Sequence, residues 1–267
     1  MGIANPSRRS LLQFGATALP LMALGATLGA TLPGTARAAD GPTTAKLRMP
    51  AETDPHSVTY LAWPEPTAAW GNQLPAVRRD IANLARQISL YEPVVLVVSP
   101  AQVPSAQYLC DTSDLGGSQG ITFLQIPNDD LWIRDFGPTF LAGPGAIAGV
   151  DTNFNGWGKT GTPYYQAFAN DAQVAATLLA RSGITRIQAP FTGEGGALET
   201  DGQGTLLATV SSLVNSNRNP GMSQDQVEQA LRGTLGMDKV IWLAGLAGRT
   251  SRTTTSTAWP ASPRPAG

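Results

Sequence analysis

Apolar positions along this chain follow two rhythms, and the switches between them predict alternating strands and helices. Residues 58–63 (VTYLAW) read as a strand, after which Val77, Ile81, Leu84 and Ile88 recur at helical spacing behind Pro75, a residue suited to a helix start. Pro93 closes that helix, and VVLVV at 94–98 has the length and composition of a short buried strand. ITFLQI at 121–126 predicts a strand stopped by Pro127, and residues 139–142 a strand running back. A helix over 171–181 and strands over 184–188 and 205–210 follow. Ser223 and Gln226 form a capping box opening a helix with Val227, Ala230, Leu231 and Leu235 on one face. Gly236 is placed to end that helix, and 240–243 is the next strand. The class is therefore α/β. Helix-bearing units recur about every 40 to 50 residues, a propeller-like period, while weak self-similarity leaves a doubly wound sheet open.

Both ends differ from this middle. Arg8 and Arg9 precede an apolar run reaching Leu32, and Ala36-Arg37-Ala38 supplies a small-x-small cleavage site. Residues 1–38 are thus expected to be a twin-arginine signal peptide, exporting a folded protein to the periplasm or beyond. Residues 39–248 carry the patterned domain. Residues 249–267 hold only Arg, Thr, Ser, Ala, Pro and Gly apart from Trp259, a composition that buries too little apolar surface to fold.

A net charge of −1 gives no reason to expect nucleic acid or an anionic membrane surface as partner. The single cysteine, Cys110, rules out an internal disulfide, and with a single histidine, His56, Cys/His zinc sites are excluded as well.

Chemistry concentrates at 128–138, NDDLWIRDFGP. Carboxylates beside an indole at a strand end suit a flat organic cation: a guanidinium is held bidentately by carboxylate and stacks on the aromatic face. The competing reading is a capped turn in which Arg134 pairs with Asp129 or Asp130.

Together with further motifs, this segment resembles the agmatine deiminase and bacterial-type peptidylarginine deiminase family. The motifs are Met49-Pro-Ala-Glu52 leading to Leu61-Ala-Trp-Pro64, the 128–138 segment, Phe154-Asn-Gly-Trp-Gly158, Gly193-Glu-Gly-Gly196 with Asp201-Gly202, and Asn217-Arg-Asn-Pro220. The resemblance implies a pentein-type α/β propeller of five ββαβ units around a substrate pocket, here lacking roughly the last two. It implies hydrolysis of agmatine or peptidylarginine to a ureido product and ammonia through a cysteine thiouronium intermediate, with no metal or organic cofactor. Residue by residue, it places Asp135 on the guanidinium as the catalytic aspartate, with Trp132 bordering the substrate. Trp157, Glu194 and Asp129 are further candidates for the substrate site. Gly195 and Gly196 are expected to permit close backbone approach or positive φ.

The resemblance also marks departures. The family's histidine belongs to a G-H-x-D-x-x-A-R-F segment downstream of the strand matching 240–243, and its nucleophilic cysteine lies further on. Neither has a counterpart here. Reading codons for 249–262 one base out of frame permits DVTDDHVDSLARF, so a frameshift near Gly248 is expected. His56 is expected to cap or pack, and Cys110 to be a partly buried structural thiol. The chain reads as a deiminase by descent and inactive as written. An exported guanidinium-binding module is the alternative, and a carboxylate metal site of Asp129, Asp130 and Glu194 a third possibility.

Overall fold

The computed structural model describes residues 46–67, 69–161 and 166–245. The signal-peptide, cleavage and frameshifted-tail expectations lie outside them.

The described chain builds three sheets of three strands. The first runs β1 (Thr59–Ala62), α1 (Leu74–Ile88), β2 (Val94–Val98), α2 (Val103–Leu109) and β3 (Ile121–Gln125). All three strands are parallel, in the order β1-β2-β3, with α1 and α2 on the crossovers that parallel pairing requires. A short helix, α3 (Ile133–Phe136), leads into the second sheet: β4 (Thr139–Gly143), β5 (Ala146–Asp151), α4 (Asp171–Ser182) and β6 (Thr185–Gln188). The third comprises β7 (Glu199–Thr200), β8 (Thr205–Thr209), α5 (Val210–Leu213), α6 (Gln224–Leu235) and β9 (Lys239–Leu243).

The second and third sheets share one plan, an antiparallel hairpin followed by a helix and a parallel strand. The first departs from the expected ββαβ unit: its strands are all parallel and two helices intervene. Residues ahead of β1 serve the other sheets instead. Arg48 bridges Ala142 on β4, and Met49 donates its N–H to Leu235 O of α6 at 3.0 Å.

The predicted strands and long helices form within a residue or two of their expected limits, and both halves of the capping box are made. Gly236 ends α6 in the left-handed region, pressed so closely on Leu47 that a Cβ would lie 2.0 Å from its carbonyl oxygen. Helix α1 packs Ile81 and Ile88 of its expected face against the core but departs from expectation at Leu84. Its buried residues are Ala82 and Ala85, and Leu84 is 46% exposed. Strand β5 has no counterpart among the expected strands. Gly149 breaks its apolar pattern, and a Cβ there would lie 2.2 Å from Leu179 of α4, so glycine lets the helix settle onto the strand.

One apolar cluster joins the second and third sheets through Leu141, Val150, Leu206, Leu231 and Leu235. Another lies under α1 and α2, around Trp63 and Leu96. A third, of Val97, Ile126, Phe136, Phe154 and Leu178, links the first sheet to α4 and carries Trp132 and Trp157 on its margin.

Candidate functional site

The 128–138 segment leaves β3 and is pinned at once. Asn128 is buried, donating through Nδ2 to Trp63 O at 2.9 Å and Asp130 O at 2.8 Å. Asp129 turns to the start of α4, accepting from Asn170 N at 2.8 Å, Asn170 Nδ2 at 2.7 Å and Asp171 N at 3.3 Å. An acidic side chain at a helix N-terminus satisfies orphan N–H groups and complements the dipole. Asp171 reciprocates, its Oδ1 accepting from Asp129 N at 2.7 Å and Asp130 N at 3.3 Å. Burial pushes the Asp171 carboxyl up to about 8, against the pull of those N–H groups. The structure thus places Asp129, expected at the substrate, at the start of α4.

Asp130 takes the indole N–H groups of Trp70 and Trp132. Arg134 pairs with neither Asp129 nor Asp130 but with Glu52, bringing two of the sequence motifs together.

Asp135 stands at the end of α3 with each oxygen engaged. Trp157 Nε1 donates to Oδ2 at 3.1 Å and Gly196 N to Oδ1 at 3.2 Å. The geometry behind both donors is unusual. Trp157 has φ +58 between Gly156 at +67 and Gly158 at +64, a left-handed turn that costs a bulky residue on the order of 1–3 kcal/mol. The turn is held by Asn155 Oδ1 accepting from Gly158 N at 2.9 Å and by the Trp157 ring edge-on to Phe154 at 5.0 Å. Gly195 lies against α3, where a Cβ would fall 2.3 Å from Arg134 O. Of the two expectations for the glycine pair, close approach is the one met here; neither residue has positive φ.

Glu194, also expected at the substrate, faces inward. Arg218 holds it bidentately, Nη2 to Oε1 at 2.9 Å and Nε to Oε2 at 3.2 Å, the side chains being 2% and 1% exposed respectively. Burial pushes its carboxyl up, and Arg218 opposes this. Gly158 rests on that guanidinium, where a Cβ would lie 2.2 Å from Arg218 Nη1. Asn219 ties the same loop to Thr192 and Leu213, and Asn155 Nδ2 donates to Asn217 O at 2.8 Å. The turns at 155–158, 192–197 and 215–219 are thereby locked into one support for Asp135.

Asp129, Asp130 and Glu194 engage three different sets of partners, and among the described residues no group of three or more metal-ligating side chains converges. Cys110 is buried in the core under α1 and α2, its thiol pushed up to about 11 by burial. His56 neither caps nor packs: it is exposed, bonded to Asp54 O and to Glu92 Oε1 at 2.9 Å, and raised chiefly by the Asp54 carbonyl. A cleft of about 590 Å³ opens beside Asp130, lined by Glu65, Thr67, Ser99, Asn128, Asp129 and Asn170 among others. Its described lining residues include no basic side chain, and they do not include Asp135, Trp157 or Glu194.

Sequence reasoning missed Trp70 and Arg218 as parts of this framework. Arg218 lay in a recognised motif, but nothing local linked it to Glu194, 24 positions away.

The chain is similar to known proteins in both sequence and fold. The family model described as Porphyromonas-type peptidyl-arginine deiminase matches residues 48–257. An agmatine deiminase of Ectopseudomonas mendocina is 40% identical over 197 residues, 73% of this chain and 52% of the relative. One from Pseudomonas aeruginosa is 38% identical over 198 residues, again 73% and 52%. The solved agmatine deiminase of Enterococcus faecalis superposes with a TM-score of 0.69 at 33% identity, covering 75% of this chain and 53% of that one. The chain therefore spans about half the length of the relatives it matches. With three-quarters of its length inside the family model, this chain belongs to the Porphyromonas-type peptidyl-arginine deiminase family.

Proposed function

We propose that this chain forms the guanidinium-holding part of a deiminase acting on agmatine or peptidylarginine, three units of a five-unit pentein propeller. The observation that carries the reading is Asp135, its carboxylate oriented by Trp157 Nε1 and Gly196 N where three locked turns meet. Asp135 would grip the guanidinium nitrogens and Trp132 would border the planar cation. Trp157 acts by orienting Asp135. Glu194 acts through Arg218, supporting the turns, and Asp129 by starting α4.

Hydrolysis in this scheme needs a thiolate to attack the guanidinium carbon and a base to release ammonia and activate water. Cys110 is buried with a raised thiol pKa and His56 is paired with Glu92, so neither is offered for those roles. The 267-residue chain is accordingly proposed to bind without turnover, as an exported guanidinium-binding protein carried by the twin-arginine signal at 1–38.

The test is a melting curve of the 267-residue chain with and without millimolar agmatine or a benzoyl-arginine amide, alongside an ammonia assay. A ligand-dependent rise in Tm, lost in Asp135→Asn, is expected without ammonia release. No rise for either ligand would remove the binding claim. Ammonia release by the pure chain would remove the claim that it lacks turnover.

A further inference from the structure

Asp130 has a role that the preceding reading leaves unassigned. It is 5% exposed, and its oxygens accept from two indoles far apart in sequence: Trp70 Nε1 on Oδ1 at 2.9 Å and Trp132 Nε1 on Oδ2 at 3.0 Å. Leu131 N adds a third bond, to Oδ1, at 2.8 Å. The two rings lie stacked, centroids 6.3 Å apart and planes 29° from parallel. An indole N–H only donates, so a carboxylate that accepts from two of them dictates which edge each ring turns inward. Burying a carboxylate is costly unless donors surround it, and here two of the three donors are half-buried side chains with no need of a buried acceptor. The arrangement uses a buried acid to orient aromatic rings.

We propose that Asp130 is a positioning residue that locks Trp70 and Trp132 into one paired-indole wall, so that Trp132 meets the guanidinium in a single ring plane with Trp70 behind it. This rests on the reading that Trp132 borders the guanidinium. Trp70 thereby joins the binding framework although it comes from the loop before α1. Asp130 touches no reacting atom. Its contribution is pre-organisation, which spares the ligand the cost of ordering the rings.

The experiment compares wild type with Asp130→Asn and Trp70→Ala by far-ultraviolet circular dichroism and by calorimetric titration with agmatine. Asn keeps the size of the side chain but has one acceptor oxygen, and its NH2 would face one of the indole N–H groups. Asp130→Asn should lose the exciton couplet of the stacked indoles and bind agmatine about three- to tenfold more weakly, the worth of one hydrogen bond. Trp70→Ala, which leaves Asp130 its bonds to Trp132 and Leu131, should weaken binding about threefold and serves where Asp130→Asn does not fold. A couplet unchanged in Asp130→Asn overturns the lock, as does wild-type affinity in either variant. A wild type with a couplet but no agmatine binding instead overturns the guanidinium reading on which the role depends.

Discussion

Replacing Arg218 by methionine tests how far the support beneath Asp135 depends on one buried ion pair. Methionine keeps most of the apolar stem and removes the guanidinium. Glu194, with a side chain 1% exposed, then faces the interior without that cation. Breaking a buried pair by removing one partner costs about 3–5 kcal/mol, because an uncompensated charge stays behind. For a folded region of about 200 residues this is a fall in Tm of roughly 6–20 °C. The pH dependence gives a second check. Burial already holds the Glu194 carboxyl above its usual range, and loss of Arg218 moves it higher. A carboxyl raised in the folded state favours folding below its unfolded pKa and loses that advantage as pH rises through the folded value. The deficit of Arg218→Met should therefore be largest near pH 7.5 and shrink toward pH 4.5. Urea titrations followed by tryptophan fluorescence at both pH values measure it. Glu194→Met/Arg218→Met, which removes the charge as well, should recover most of the loss. A deficit below about 1 kcal/mol at pH 7.5, or a double variant no more stable than the single, would refute the argument.

Three further outcomes follow from other contacts. Gly195→Ala drives a Cβ toward Arg134 O, 2.3 Å away, and should cost about 1–3 kcal/mol; an unchanged Tm would show that the turn yields freely. Cys110, with its thiol near 11 and 3% exposed, should react with Ellman's reagent at pH 8 at least about a hundredfold more slowly in the folded chain than in urea, and equal rates would contradict its burial. Asp171, raised to about 8, should make the wild type lose stability as pH rises from about 4 to 8. Asp171→Asn keeps an oxygen for the Asp129 and Asp130 N–H groups and should flatten that slope in a Tm-against-pH series; an identical slope counts against the assignment.

What the sequence determined by itself was local or motif-borne. Runs such as Val94–Val98 and Thr205–Thr209 are strands because a short apolar stretch bounded by turn residues has one good burial. Helix α6 is bracketed by Ser223 and Gly236 because capping chemistry operates within one turn. The ordered motifs from Met49 to Pro220 pointed to the family for the same reason: they are short, contiguous strings of residues. Tertiary structure decided where the polar side chains of those motifs go. Asp129 and Asp130 are adjacent and chemically identical, yet one starts α4, 42 positions on, and the other holds Trp70, 60 positions back. Glu194 points inward because the fold delivers Arg218 to it, and Trp157 keeps a left-handed backbone because Phe154 and Asp135 hold its ring. Periodicity reports which side of an element meets the core. The partner of a buried charge depends on which distant loop the packed core brings within about 3 Å, and no local pattern carries that distance.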